Sequence, residues 1–203
     1  MADTLAGTRL GAYELQRLLG SGGMAAVYQA FDHNLHRTVA VKVLAPEAAL
    51  QPGFADRFQQ EARLVARLHH PNIVQVYDFG QQDGITYMVQ ELLPGPTLAR
   101  FMQEQHARGQ AIGRDEVLEI VRQLAAGLDA AHAEGIIHRE VKPANALWNA
   151  AETLVLTDFG IAKPTLESGK LTQVGMILGT PAYLSPEQAQ GLPLSPASDV
   201  YAL

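Results

Sequence analysis

Hydrophobic periodicity changes abruptly near residue 92, and no other feature of the chain constrains its fold as much. From Tyr13 to Glu91 the residues form short strand-like runs separated by turns, among them Ala26–Ala30, Thr38–Leu44 and Thr86–Gln90. One helix is predicted among them: Phe58, Ala62, Val65 and Ala66 recur at helical spacing from Phe54 to Leu68, and His70-Pro71 stops the run. Leu92-Leu93-Pro94-Gly95-Pro96 is then punctuated like a linker. Beyond it, Val117, Ile120, Val121, Leu124, Leu128 and Ala131 predict a long helix from Asp115 to Glu134. The economical reading is an α+β chain of two unequal lobes, 1–91 and 98–203, joined at a hinge over 92–97.

With 203 residues, 47% of them hydrophobic, there is enough apolar surface for a true core, which excludes a disordered chain. A net charge of -6 with scattered basic residues argues against nucleic acid or an anionic membrane as the main partner. The absence of cysteine excludes disulfides and thiolate metal sites. The N-terminus lacks the basic and apolar pattern of a secretory signal, and no apolar run approaches a membrane span, so a cytoplasmic location is expected.

Leu19-Gly20-Ser21-Gly22-Gly23-Met24-Ala25-Ala26-Val27 lies between two strand-like runs. Residues without side chains there would let backbone N–H groups approach phosphate oxygens, although a glycine-rich hairpin turn explains an isolated match equally well. A dinucleotide fingerprint needs a helix directly after the glycines, and a Walker loop needs Gly-Lys-Ser/Thr; neither is present. Lys42 sits in the run Val39-Ala40-Val41-Lys42, between residues expected to be buried. Its ammonium either snorkels from a strand edge or needs a partner, and Glu61 on the predicted helix supplies one.

Taken in series, Gly20-Ser21-Gly22, Val39-Ala40-Val41-Lys42, Glu61, His138-Arg139-Glu140-Val141-Lys142-Pro143-Ala144-Asn145, Asp158-Phe159-Gly160, Ser185-Pro186-Glu187 and Ser198-Asp199-Val200-Tyr201 resemble the ordered motifs of a bacterial, Hanks-type serine/threonine protein kinase. The resemblance implies a bilobal fold, with a small antiparallel β lobe that binds ATP and a larger, mostly helical catalytic lobe. It implies ATP and Mg²⁺ as cofactors and a protein Ser/Thr hydroxyl as acceptor. Leu19 to Val27 would cover the phosphates, Lys42 and Glu61 would position them, and Asn145 and Asp158 would hold the metal. Lys142 would steady the transferring phosphate. The Glu91 carbonyl and Leu93 amide would meet adenine, with Val27, Ala40 and Leu147 sandwiching the ring, although core packing suits these three positions too. An activation loop is implied over about 158–187. Thr172 is the leading phosphosite, open to autophosphorylation and pairing with Arg139; Ser168 and Thr165 are weaker candidates, and Thr180 would brace the catalytic loop.

Three departures stand out. Glu140 occupies the place of the catalytic aspartate, and its extra methylene moves the carboxylate by more than about an ångström, a misplacement that can cost about a hundredfold in rate. This allows either an impaired enzyme or a catalytically weak, ATP-binding pseudokinase that serves as an interaction module. Ala25 replaces the third glycine of the phosphate loop, with little consequence. Finally, Leu203 falls a few residues into a helix expected to begin near Asp199. Compared with the family, the large lobe is then expected to be incomplete, with Glu187 short of its usual partner, the 115–134 helix short of cover and the isolated chain poorly stable or even without function.

Overall fold

The computed structural model describes residues 5–160 and 181–203. The chain divides into two compact units, Met1–Arg67 with Val74–Leu93, and Leu68–Ile73 with Pro94–Leu203.

The first unit is built from β1 (Arg9–Leu10), β2 (Tyr13–Ser21), β3 (Ala25–Asp32), β4 (Arg37–Leu44), α1 (Pro46–Ala49), α2 (Phe54–Val65), β5 (Val76–Gln82) and β6 (Ile85–Gln90). Its strands form one antiparallel sheet in the order β1-β2-β3-β4-β6-β5. Two-residue alternation sends Tyr28 and Ala30, Val39, Val41 and Val43, and Tyr87 and Val89 to one face, where they form a buried cluster with Leu10 and Leu15. Val27 pairs with Lys42 and Gln29 with Ala40, which places these four residues on the opposite face. The two ends of the strand order are tied together. Gln82 at the end of β5 accepts from the Gly11 N–H (2.8 Å) and donates to the Arg9 carbonyl (3.1 Å), and the Tyr13 hydroxyl donates to Asp78 (2.8 Å). The sheet is therefore curled, with the apolar cluster inside the curl.

Two predictions are corrected here. Proline at its first position starts a short second helix, α1, which the periodicity did not signal. Helix α2 ends at Val65, with Ala66 as its cap, and the Arg67 N–H bonds back to the Leu64 carbonyl in a tight turn, so Leu68 lies outside the helix.

The second unit contains α3 (Leu98–Ala107), α4 (Arg114–Ala133), the hairpin β7 (Ala146–Trp148) and β8 (Leu154–Leu156), α5 (Pro186–Gln190) and α6 (Pro196–Ala202). Thr97 caps α3 by accepting from the Arg100 N–H. Leu98, Leu124, Leu128, Val141, Ala146, Leu154 and Leu156 form its core. In α4 only the C-terminal half of the predicted stripe is covered: Leu124, Leu128 and Ala131 are buried, whereas Val117 and Val121 are 42% and 38% exposed. The covered half owes its close approach to Gly127, where a Cβ would lie 2.8 Å from the Asn72 carbonyl oxygen. Helix α6 begins at Pro196, earlier than expected, because Ser195 closes a capping box with Ser198. Among the described residues no helix is long and apolar enough to cross a membrane.

Candidate active site

In the first unit the glycine-rich segment is the turn between β2 and β3, with the Gly22 N–H donating to the Ala25 carbonyl (2.9 Å). A strand follows the glycines, as a phosphate-covering hairpin requires and a dinucleotide fold does not. Side chains built at Gly20 or Gly23 would meet nothing within 4 Å, so internal packing does not demand glycine at either position. Leu19 is exposed and Met24, Ala26 and Val27 are half-buried.

Lys42 reaches its expected partner. Its Nζ lies 3.3 Å from Glu61 Oε1, with the two side chains 14% and 4% exposed, and 5.6 Å from the centre of the Phe58 ring. The pair forms because Lys42 is on the β4 face opposite the Val39, Val41 and Val43 cluster, while Glu61 lies on the same side of α2 as Phe54, Phe58 and Val65. Ala40, two residues earlier, is buried on the Lys42 face. Glu91 donates its N–H to the Gln75 carbonyl (2.9 Å), and Leu93 lies in the irregular segment that follows β6.

In the second unit the segment from His138 to Asn145 is a loop pinned by Asp199. The Asp199 carboxylate, 1% exposed, accepts from the backbone N–H of His138 (2.8 Å) and of Arg139 (2.7 Å), and meets His132 Nε2 at 2.7 Å. His138 is fully buried and stacks on Phe159, ring centres 4.4 Å apart. Its Nδ1 faces the Glu140 N–H (3.2 Å) and its Nε2 faces the Thr157 carbonyl (3.1 Å), a pattern that the neutral Nε2–H tautomer satisfies. Burial accordingly holds this imidazole below its ordinary value, against the opposing pull of Asp199.

Glu140 stands 3.9 Å from Lys142 Nζ, and its carbonyl accepts from Asn145 Nδ2 (3.0 Å). With its amide nitrogen so used, Asn145 offers Oδ1 as a ligand atom. The Thr157 N–H donates to the Asn145 carbonyl (2.9 Å) and the Gly160 N–H to that of His138 (2.8 Å), so the loop and the Asp158–Gly160 segment are held side by side. Leu147 pairs with Val155 in the hairpin that leads into Asp158. Arg139 (φ 69°) and Asp158 (φ 56°) both adopt left-handed backbone that side chains disfavour, and such strain concentrates at functional sites. Buried Arg139 Nε has no hydrogen-bond partner among the described residues. Thr172, Thr165, Ser168 and Thr180, and most of the expected activation loop, lie outside them.

Glu187, expected to lack its usual arginine, accepts from the Ser198 hydroxyl (2.5 Å), and this bond holds its carboxyl below the usual range. The sequence reasoning missed three contributors. His132 looks like a polar break in the α4 pattern, Gln188 Nε2 donates to the Arg139 carbonyl (2.7 Å), and Gly160 lies directly against Glu140. The only signal for the first was its position six residues ahead of His138.

The model of the protein kinase domain family matches residues 13–203. The chain is 42% identical to serine/threonine-protein kinase PknA of Mycobacterium tuberculosis over 208 residues, covering all of this chain and 47% of that protein. It is 41% identical to PknE of the same organism over 202 residues, covering all of this chain and 35% of that protein. The chain thus spans about half the length, or less, of the curated relatives it matches. The crystal structure of the M. tuberculosis PknI kinase domain superposes with a TM-score of 0.78 at 31% identity, over 97% of this chain and 71% of that one. Supported by ordered motifs, an antiparallel sheet, a pinned catalytic-type loop and relatives aligned over its whole length, the chain belongs to the bacterial, Hanks-type serine/threonine protein kinase family.

Proposed function

We propose that this chain binds ATP through residues 1–91, with 92–97 as hinge, and transfers the γ-phosphate to a serine or threonine hydroxyl of a protein through residues 98–203. In this reading Glu140 replaces aspartate as proton acceptor and slows the reaction. The observation that carries it is the loop pinned by Asp199, which gathers Glu140, Lys142 and Asn145 on one short segment bonded to the run into Asp158.

The residues present suit a nucleotide with its metal. Open space beside Gly20 and Gly23 leaves room for phosphate oxygens to approach the backbone of this segment. Lys42, held by Glu61, offers a cation to those oxygens. By the family resemblance the Glu91 carbonyl and Leu93 amide would meet adenine, with Val27, Ala40 and Leu147 against the ring. Among the described residues no cluster of three or more His, Cys, Asp or Glu could cage a metal. Two oxygen ligands, Asn145 and Asp158, suit Mg²⁺, which keeps several waters and takes phosphate oxygens to complete its shell. Bound MgATP would supply the electrophilic γ-phosphoryl group and neutralise its charge.

The protein's own work is then positioning and proton acceptance. Glu140 would take the proton from the substrate hydroxyl oxygen as that oxygen attacks, and Lys142 beside it would offset charge on the transferring group. Thr172, once phosphorylated, would supply the partner that buried Arg139 Nε lacks among the described residues. A reducing, ATP-rich compartment such as the cytoplasm suits a cysteine-free chain with this chemistry.

The test is transfer of labelled phosphate from ATP to a generic protein acceptor. Glu140→Asp should raise the rate by about a hundredfold. If both forms bind MgATP in calorimetry and neither transfers phosphate, the chain is an interaction module and the enzyme reading fails.

A further inference from the structure

The inside of the curled sheet is not completely filled. A cavity of about 340 Å³ opens at the end of the curl where the β2–β3 and β5–β6 turns lie, bounded on a third side by α1. Its walls are the apolar side chains of Leu18, Tyr28, Val43 and Ile85, which continue the buried cluster, together with Leu5 and Ala49. These lie on the sheet face opposite Val27, Ala40 and Lys42, so the cavity is separate from those three residues, while Ser21, Gly22, Ala25 and Ala26 of the glycine-rich segment border it.

A dry cavity of about 150 Å³ lined by aliphatic side chains admits benzene. This one is roughly twice that size and falls within the range of about 300–1,000 Å³ that small-molecule sites occupy, often in the mouths of barrels. Among the described residues the polar side chains of its lining are Ser21 at the end of β2, Tyr28 on the wall and Asp83 in the β5–β6 turn. Asp83 is the one charged side chain in the lining among the described residues, and it is exposed. Gln82 Nε2 already donates to its Oδ2 at 3.3 Å, but a carboxylate has about four acceptor positions and can take a further donor.

We propose that this cavity binds a small amphiphile with an apolar body of about two fused aromatic rings and a cationic amine. The rings lie against Leu18, Tyr28, Val43 and Ile85, and the ammonium is directed to the Asp83 carboxylate at the mouth. Such a ligand would touch the glycine-rich turn, through Ser21 and Gly22, from the side opposite Lys42.

The probes are 2-naphthylmethylammonium, its neutral alcohol analogue and 2-naphthylacetate, titrated into the chain with methyl groups observed by NMR. Saturable shifts are expected at the Leu18, Val43 and Ile85 methyls, with the ammonium binding about fivefold tighter than the alcohol and the carboxylate weakest. Asp83→Asn should erase that order, and Ala49→Trp, a change at an exposed position on the mouth, should weaken all three by about tenfold. The proposal is overturned if no saturable shift reaches these methyls, if binding survives Ala49→Trp unchanged, or if the carboxylate binds as well as the ammonium. It is equally overturned if binding appears only after residues 1–4 are removed, since the chain would then fill the cavity itself. Loss of phosphate transfer has no bearing on these readouts.

Discussion

Gly160 is packed against Glu140 so closely that a Cβ at position 160 would stand 2.6 Å from the Glu140 Cγ. Real carbon atoms do not approach like this, and Cγ is too near the backbone to yield without turning the whole carboxylate away from Lys142. Gly160→Ala should therefore destabilise the chain by about 1–3 kcal/mol. In a Glu140→Ala background, where no Cγ remains, most of that penalty should vanish. Denaturant unfolding of the four forms measures the coupling, and strictly additive changes would show that the two positions are independent.

Asp199 supports the catalytic-type loop from below through two backbone N–H groups, and also holds His132. Asp199→Ala would leave buried donors without their acceptor and should cost about 3–5 kcal/mol in unfolding free energy. Asp199→Asn keeps the shape but has one accepting oxygen, so it should fall between the two. Equal stability of all three forms in denaturant would mean that the loop is held by something else.

Stability should also report the protonation of His138. Burial places its folded pKa below the ordinary 6.5, so the unfolded chain takes up the proton more readily. The unfolded state then binds more protons as pH falls through 6.5, and stability drops on acidification below that value and is unaffected by this group above it. A series of urea melts from neutral to mildly acid pH should show the drop, and His138→Phe should remove the part due to this residue. A slope identical in both proteins would rule out the assignment.

Helix α4 offers a reversal of the usual propensity rule. An alanine ordinarily stabilises a helix interior by about 1 kcal/mol relative to glycine. At Gly127 the new methyl would meet the Asn72 carbonyl oxygen at 2.8 Å. Asn72 cannot easily yield, because its carbonyl accepts from the Leu156 N–H (2.9 Å) and its side chain donates to the Leu154 carbonyl (2.7 Å). Gly127→Ala should thus lower the thermal midpoint, and a rise would contradict the packing described for α4 and β8.

Much of this architecture was legible in the residues. The strand-like run Thr38–Leu44 falls within β4, and Leu124, Leu128 and Ala131, at helical spacing, are buried on α4, because strand and helix geometry impose such local patterns. The Lys42–Glu61 pair was also foreseeable, since an ammonium between buried valines needs an opposite charge. Which part of the α4 stripe stays exposed, Val117 and Val121, was not legible, because periodicity says which face is apolar and not how far along a helix a partner extends. Helix α1 carries too few residues for a period to show.

What the sequence by itself determined is the order of the elements, the family and the residue types at each candidate position, because these follow from spacing along one chain. Tertiary structure alone decided that His132 and Asp199, 67 residues apart, would share a hydrogen bond, that Gly160 would make room for Glu140, and that curling the sheet would leave a cavity beside the glycine-rich turn. Such relations depend on distances between segments remote in sequence, which only the packed chain brings within reach of hydrogen bonds and van der Waals contact.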